Sequence, residues 1–281
     1  MNLFFKRKLR NKFYRIINKI YERFVDFCLP KYTIGKEFEN YGALTQYMKH
    51  HRLSFTPVWE KIHIDSKVKR HKQIREEFRS SNTVIETRFQ FLTALISFCR
   101  RDISILDFGG GFSSIHFPLL AMQFNRKIHT TIYEPFPEVV EANRLIHKEY
   151  NDIKFTSTIP EKTFDIIYWG SSIQYVMCEE EIIEASKRAQ YLVITYSPVV
   201  TSGKTFFTLS VPHNNTLVPI RIWNVDELTK LFLDNGFEIV NRRICKENWN
   251  FGLNNYKNLT ADLMFRNTNF DNKVDVFHDS I

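Results

Sequence analysis

The stretch that most constrains the fold lies at residues 103–114, which read Ile-Ser-Ile-Leu-Asp-Phe-Gly-Gly-Gly-Phe-Ser-Ser. Its branched apolar residues predict a buried strand. The three glycines predict a tight turn, because a Cβ would block both the turn and the approach of a ligand. Ser113 or Ser114 is expected to cap the helix that follows. This order of strand, glycine turn and helix brings a backbone close to a nucleotide-like ligand; an ordinary tight turn is the alternative.

Periodicity along the rest of the chain predicts an α/β protein with a mostly parallel sheet and helices on both of its faces. Helices are expected at residues 83–101, 114–124, 136–149, 179–189 and 225–235. Strands are expected at residues 103–107, 128–133, 153–157, 164–169, 191–196, 237–244 and 260–266. No clear helix separates the last two strands, so we expect an antiparallel ending. Two strand-like runs at 206–211 and 217–223 predict a hairpin that covers the site as a lid.

The residues around the glycines indicate the kind of ligand. A dinucleotide site needs a glycine at the sixth position of the turn, where this chain has Ser114. Asp107 lies two residues before Gly109, where a carboxylate suits a cationic amino group. The stretch Leu-Asp-Phe-Gly-Gly-Gly resembles the first motif of class I S-adenosylmethionine (SAM) dependent methyltransferases. The resemblance implies a Rossmann-like, seven-stranded fold with SAM as cofactor, Asp107 near its methionine part, and Gly109, Gly110 and Gly111 beneath it.

Further residues complete the cofactor site that this resemblance implies. Glu134 ends the second strand, where it can accept hydrogen bonds from both ribose hydroxyls; a helix-start charge is its structural alternative. Pro135 follows it and is included in the predicted site. Ser157 ends the third strand, where the family commonly contacts adenine. Ser171 and Ser172 follow the fourth strand and are expected to flank the methyl group.

Acceptor contacts are predicted at Gln174, Tyr196, Arg221 and Trp223, after the fourth and fifth strands and in the hairpin. Tyr175 and His213 are the candidate catalytic residues. His213 can act as a general base because its unperturbed pKa is near neutrality, although a histidine in a polar turn is more often simply solvated. The sequence lacks the Asn/Asp-Pro-Pro-Tyr/Phe motif and the Pro-Cys nucleophile of enzymes that methylate bases, which argues against a nucleic-acid substrate.

A longer series of motifs resembles a narrower set, bacterial methyltransferases found among surface-polysaccharide genes. Its members are Leu-Asp-Phe-Gly-Gly, Ser-Ser-Ile-Gln-Tyr-Val, the Ser-Pro after the fifth strand, and Pro-Ile-Arg-Ile-Trp-Asn before Val-Asp-Glu-Leu. The resemblance implies O-methylation of a small polar acceptor, a hydroxyl of a surface-glycan sugar or its precursor. The alternatives are a non-catalytic SAM-fold partner in a membrane-associated glycan assembly complex, and a nicotinamide-dependent sugar enzyme.

Positive charge is concentrated at the N-terminus. Residues 1–23 carry eight basic side chains against Glu22 alone, within a chain of net charge +8. With apolar residues at spacings of three and four, residues 1–27 form a basic amphipathic helix, typical of an anionic membrane surface. Docking on its own domain or on a partner is an equal alternative. Residues 28–82 are predicted to be a helical cap, residues 83–266 the SAM-binding domain and residues 267–281 a tail.

The cysteine pattern and the apolar runs indicate the compartment. Cys28, Cys99, Cys178 and Cys245 are far apart, so neither a metal site nor a disulfide framework is expected. The sequence contains no run of 18 apolar residues, so a membrane-spanning helix is not expected. We therefore expect a cytoplasmic protein, peripheral on the inner membrane face if residues 1–27 bind lipid. Because the basic character belongs to one segment, a broad nucleic-acid groove is not expected.

Overall fold

The computed structural model describes residues 36–51, 53, 89–99, 101–111, 115–121, 126–148, 150–210, 217–246 and 259–270. Its helices are α1 (Tyr41–His50), α2 (Gln90–Phe98), α3 (His116–Ala121), α4 (Pro137–Ile146), α5 (Glu179–Ser186) and α6 (Val225–Leu233). Its strands are β1 (Ile103–Phe108), β2 (Ile128–Tyr133), β3 (Ile153–Thr156), β4 (Phe164–Gly170), β5 (Ala189–Val200), β6 (Phe206–Ser210), β7 (Val218–Asn224), β8 (Phe237–Lys246) and β9 (Leu259–Asn267). A 3-10 turn at Ile173–Tyr175 follows β4.

Several predicted features lie outside the described residues. They are the basic helix at 1–27, most of the cap at 28–82, the first part of the helix predicted at 83–101, Ser113 and Ser114, His213 in the hairpin turn, and the tail from residue 271 onward. Within the predicted cap, the described part forms α1, whose start is capped by the side chain of Asn40. None of the helices in the described part of the chain is long and apolar enough to span a membrane.

The strands form one sheet with the predicted Rossmann-like organisation. β3, β2, β1, β4 and β5 lie side by side in that order and are parallel. β9 then runs antiparallel to β5, and β8 runs antiparallel to β9. The expected mostly parallel sheet with an antiparallel ending is therefore confirmed.

Two apolar layers cover this sheet. α5 and α6 pack on one face, around Trp169, Leu192 and Phe232. α2 and α3 pack on the other face, around Leu95, Ile105 and Val193. β1 and β4 contribute side chains to both layers, which explains why their sequences are apolar runs instead of alternating patterns. The centre of the sheet is thus rigid on both faces, and its carboxyl edge can hold a site in fixed geometry.

The hairpin of β6 and β7 extends the sheet and does not form the separate lid that the sequence predicted. β7 runs parallel to the end of β5, with Val199 opposite Trp223. All residues of β6 and β7 are buried, in part because α1 packs over Phe207 and Leu209. β7 also contacts the 3-10 turn that follows β4. The hairpin is therefore a fixed wall beside the carboxyl ends of the central strands.

Helix ends differ from the prediction by a few residues where a local hydrogen bond intervenes. α2 ends at Phe98 instead of residue 101, because Cys99 is already extended. α6 begins where the side chain of Asn224 accepts from the backbone N–H groups of Asp226 and Glu227, an N-cap of the usual kind. Gly236, which follows this helix, has a positive φ of 84°, as glycine often does just after a helix C-terminus.

Candidate functional site

The predicted site segments lie along one edge of the sheet. Parallel pairing sets the carboxyl ends of β3, β2, β1, β4 and β5 side by side, with Thr156 opposite Tyr133, Tyr133 opposite Phe108, and Gly170 opposite Thr195. The segments that follow β3, β2, β1 and β4 carry Ser157, Glu134, the glycine turn and Ser171 in that spatial order, and Tyr196 lies within β5 at the next position along the edge. In open α/β sheets, ligands bind at this edge.

The glycine turn is shaped by its own lack of side chains. Gly109 and Gly111 have positive φ values of 69° and 54°, a region that side chains disfavour. A Cβ on Gly110 would come within 2.5 Å of the Asp107 carboxylate, and a Cβ on Gly109 within 2.8 Å of the Ser172 Cβ. The backbone N–H of Gly109 donates to the Tyr133 carbonyl at 2.8 Å. The turn thus fits closely between Asp107 and the segment after β4.

Asp107 lies beneath this turn. The residue is 2% exposed, and its Oδ2 accepts a hydrogen bond from the backbone N–H of Ile115 at 3.2 Å. Ile115 immediately precedes α3, so the carboxylate joins the end of β1 to the start of that helix. A carboxylate at the first turn of a helix is electrostatically favourable.

Glu134 and Asn143 hold the last glycine of the turn from two sides. Glu134 is 3% exposed, and its Oε2 accepts from the backbone N–H of Gly111 at 3.1 Å. Asn143, on the buried face of α4, donates from Nδ2 to the Gly111 carbonyl at 2.9 Å. Sequence reasoning missed Asn143. The signal that could have found it is a polar residue within the apolar stripe of Val139, Val140 and Ile146.

The flanking predictions on β2 and β3 fall on more open positions. Pro135 is exposed beside Glu134, and Ser157 is half-buried after β3. The neighbouring Thr156 hydroxyl accepts from the backbone N–H of Thr158 at 3.1 Å, which closes a local turn. Both predicted residues therefore border the edge without entering the core.

The segment after β4 is bent toward the glycine turn. Ser171 has a positive φ of 57°, and its backbone N–H donates to the Thr195 carbonyl at 2.9 Å. Gln174 is buried, and its Nε2 donates to the Ser171 carbonyl at 2.8 Å and to the Ser171 hydroxyl at 3.1 Å. The buried Ser172 hydroxyl has no hydrogen-bond partner among the described residues. Ser172 is the residue that a Cβ on Gly109 would meet, so its hydroxyl lies beside the glycine turn.

Stacked aromatic rings close the edge from the face that α5 and α6 cover. The ring of Phe108 stacks on Trp169 with centroids 3.8 Å apart and lies 4.5 Å from Tyr133. All three residues are buried and stand at or near the ends of β1, β2 and β4. Water is thereby excluded from one side of the edge, which strengthens electrostatic interactions there.

The two tyrosines predicted near the acceptor differ in their surroundings. Tyr175 is 42% exposed over the whole residue, yet burial near its hydroxyl raises its pKa above the usual value, against an interaction with Gln174 that lowers it. The phenol is therefore protonated at neutral pH. Tyr196 has a positive φ of 57°, and its backbone N–H donates to Asp262 Oδ1 at 2.8 Å. Its side chain packs against the apolar residues of the hairpin.

Arg221 and Trp223, which the sequence predicts to contact an acceptor, are both buried in the structure. Arg221 is 3% exposed and donates to Glu179 at 3.0 Å and to the Met177 carbonyl. Its guanidinium carbon lies 4.7 Å from the Phe207 ring and 4.4 Å from the Trp223 ring. Trp223 is itself part of the core. Arg221 thus connects the hairpin to Met177 and to the first residue of α5, and Trp223 packs against its guanidinium.

The strand order and the glycine turn together define a Rossmann-like α/β protein with the topology of class I methyltransferases. No protein-family model matches the sequence, and no curated protein matches it.

Solved structures that resemble this chain include methyltransferases of low sequence identity. One is a SAM-dependent methyltransferase from Methanosarcina mazei, with 16% identity, a TM-score of 0.49, and coverage of 62% of this chain and 96% of that one. Another is 1,6-didemethyltoxoflavin-N1-methyltransferase from Burkholderia thailandensis with bound S-adenosylhomocysteine, with 13% identity, a TM-score of 0.47, and coverage of 76% and 93%. A third is the N-methyltransferase NodS from Bradyrhizobium japonicum, with 14% identity, a TM-score of 0.43, and coverage of 64% and 93%. Because these identities are low, the fold of this chain is assigned from its own strand order.

Proposed function

We propose that this protein is a SAM-dependent methyltransferase that acts on a small polar acceptor. One observation carries the proposal: the end of β1 holds a side-chain-free turn that is bracketed by the buried carboxylates of Asp107 and Glu134. A turn without Cβ atoms lets a nucleoside approach the backbone closely. Two carboxylates in a partly apolar edge suit a ligand that combines a cationic amino group with ribose hydroxyls.

In this proposal, the residues along the edge contact the methionine part, the ribose and the adenine of SAM in the order in which these parts are joined. Gly109, Gly110 and Gly111 form the seat, and Asp107 supplies negative charge beside it. Glu134, with Pro135, would receive the ribose, and Ser157 would border the adenine. Ser171 and Ser172 complete the seat from the β4 side, where the unpartnered Ser172 hydroxyl offers a hydrogen bond.

The remaining chemistry is alignment of the acceptor. When bound, SAM supplies an electrophilic sulfonium methyl group that an acceptor oxygen or nitrogen can displace. Gln174, Tyr175 and Tyr196 stand at the adjoining strand ends and would orient the acceptor. Tyr175 is protonated at neutral pH and so would donate a hydrogen bond and not accept a proton. His213 remains our proposed base; Arg221 and Trp223 would act by fixing the hairpin.

Isothermal calorimetry with SAM and the variant Asp107→Asn tests the proposal. We expect the wild-type protein to bind SAM and the variant to bind about tenfold to a hundredfold more weakly, since one charge-assisted interaction is lost. Asp165→Asn is the matched control, because Asp165 is also a buried carboxylate but pairs with Arg101 and Ser104 at the opposite edge of the sheet. Folded wild-type protein that gives no heat at roughly millimolar SAM would contradict the proposal.

For the acceptor we propose a hydroxyl of a surface-glycan sugar or its precursor, met at the inner membrane face. The support is the resemblance of the sequence motifs to methyltransferases of surface-polysaccharide genes, together with the basic amphipathic helix predicted at residues 1–27. Mass spectrometry of surface glycans from a strain that lacks the protein tests this. Loss of one methyl substituent from a glycan is expected; an unchanged glycan profile would exclude this acceptor.

A non-catalytic SAM-fold partner protein is the second candidate. The observation that favours it is that Tyr175, the described member of the two catalytic candidates, is a phenol, which is protonated at neutral pH and does not serve as a base; burial raises its pKa further. SAM binding without transfer of a labelled methyl group to any component of a cell extract would favour this candidate. A labelled product would exclude it.

A further inference from the structure

We infer that Asn143 is a positioning residue that holds the glycine turn ready for the cofactor; the inference rests on the proposed SAM-binding function. The hydrogen bond that the Asn143 side chain makes is to the backbone of the turn. It acts on the turn through one backbone group, because its Nδ2 donates to the Gly111 carbonyl at 2.9 Å. The N–H of the same glycine is bound by Glu134 at 3.1 Å. The two side chains therefore hold both polar groups of Gly111.

The burial of Asn143 indicates that it is not present for packing. It is 1% exposed, and its α4 neighbours on the buried face are the apolar residues Val139, Val140, Ala142 and Ile146. Its Oδ1 has no hydrogen-bond partner among the described residues. A buried, unpaired amide oxygen destabilises a fold, and a leucine of similar size would avoid that cost. The Nδ2 bond to Gly111 is the interaction that a leucine could not replace.

The conformation of Gly111 explains why it needs holding. Its φ of 54° lies in the left-handed region, and glycine readily moves between this region and the right-handed one. If the turn changed conformation, the N–H of Gly111 would leave Glu134, and the proposed ribose carboxylate would lose its support. Asn143 thus couples α4 to the shape of the cofactor seat, which lowers the ordering cost of binding.

The experiment compares Asn143→Leu with Asn267→Leu, using S-adenosylhomocysteine as the calorimetric probe. Asn267 is a matched control because it is also buried and its Nδ2 donates to the carbonyls of Lys187 and Ala189, at the amino end of β5 away from the site. We expect Asn143→Leu to weaken binding of the probe about tenfold and Asn267→Leu to leave it unchanged. A purely structural role for Asn143 would instead give two variants of wild-type affinity, which overturns the inference.

Two further measurements keep the test decisive if a leucine variant does not fold. Asn143→Asp keeps the side-chain shape but removes the donor, and we expect it to bind the probe at least as weakly as the leucine variant. In the wild-type protein, the probe should shift the side-chain amide resonances of Asn143 in nuclear magnetic resonance spectra and leave those of Asn267 in place. Wild-type protein that binds the probe without moving the Asn143 signal overturns the inference alone. Wild-type protein that does not bind overturns the proposed function as well.

Discussion

At the scale of the residue, buried polar side chains in this protein bind backbone groups that the fold would otherwise leave weakly held. Asp107 binds the N–H before α3, and Glu134 and Asn143 bind the two polar groups of Gly111. His116, at the start of α3, instead contacts another side chain, because its Nδ1 lies 2.9 Å from the Thr130 hydroxyl on β2. Asp107 and His116 thus connect α3 to β1 and β2, and Asn143 connects α4 to the glycine turn.

His116 makes the stability of the fold dependent on pH. Burial lowers the pKa of its imidazole from 6.5 to about 4, against a smaller opposite effect of Asp152. Between these values the unfolded chain binds a proton that the folded chain does not, so the free energy of unfolding falls as the pH falls from 6.5 toward 4. Above pH 6.5 the contribution is fully present. The loss amounts to roughly 3 kcal/mol.

Urea unfolding of the wild-type protein and of His116→Gln between pH 4 and 8 measures this effect. Glutamine is neutral throughout this range and can still form a hydrogen bond with Thr130. We expect the stability difference between the two proteins to be constant above pH 7 and to shift in favour of the variant as the pH approaches 4. Parallel curves over the whole range would show that His116 is not kept neutral by the fold.

Sequence reasoning predicted the positions of residues that end a strand, and it missed contacts that form between elements distant in the chain. Asp107 and Glu134 were predicted at the sheet edge because each one ends or follows an apolar run of its own. Asn143 was missed because its partner, Gly111, lies 32 residues away and meets it only when α4 packs. Arg221 was predicted to contact an acceptor because it lies in the hairpin that was expected to cover the site, and its partner Glu179 is visible only in the fold.

At the scale of the element, the hairpin shows what periodicity can and cannot predict. Both of its strands were predicted nearly to the residue, because β-branched and aromatic runs flank a turn. Their role as a lid was wrong, because an apolar pattern does not say which neighbour a strand will pair with. Pairing of β7 with β5 turns the hairpin into part of the sheet. Arg221 then crosses from β7 to the start of α5 and locks the wall in place.

Replacing Arg221 with methionine should destabilise the protein without affecting the cofactor seat. The change keeps the stacking volume between Phe207 and Trp223 but removes the bonds to Glu179 and the Met177 carbonyl. Because Glu179 stays half exposed, we expect a loss of about 2 kcal/mol in the free energy of unfolding, less than for a fully buried pair. Urea unfolding measures the loss, and calorimetry with S-adenosylhomocysteine checks that affinity is unchanged.

Arg242→Met is the control for this prediction. Arg242 pairs with Asp226 at 2.7 Å, but the Asp226 side chain is 69% exposed, so its removal should change stability by only about 0.5 kcal/mol. Equal stability of the Arg221 and Arg242 variants would contradict the structural role of Arg221. It would return Arg221 to the candidates for acceptor binding.

At the scale of the whole molecule, the net positive charge and the sheet lie in different parts of the chain. The sheet, its two apolar layers and its hairpin account for the site, and they lie in a part of the chain that is close to electrically neutral. The basic side chains at residues 1–23 supply nearly all of the net charge of +8. A charged segment attached to a near-neutral domain can determine the localisation of the protein without altering which ligand the domain binds.

Deleting residues 1–27 should therefore abolish binding to anionic lipid and leave cofactor binding intact. Each basic side chain near an anionic surface contributes about 1 kcal/mol, so even a few of the eight would give a loss of more than about a hundredfold in partitioning. Cosedimentation with phosphatidylserine vesicles measures the loss, and the binding of the full chain should weaken as salt is added. Neutral phosphatidylcholine vesicles and the unchanged affinity of the truncated protein for S-adenosylhomocysteine are the controls. If the truncated protein sediments with anionic vesicles to the same extent as the full chain, the basic segment is not a membrane anchor. Its apolar stripe is then explained by docking on its own domain or on a protein partner.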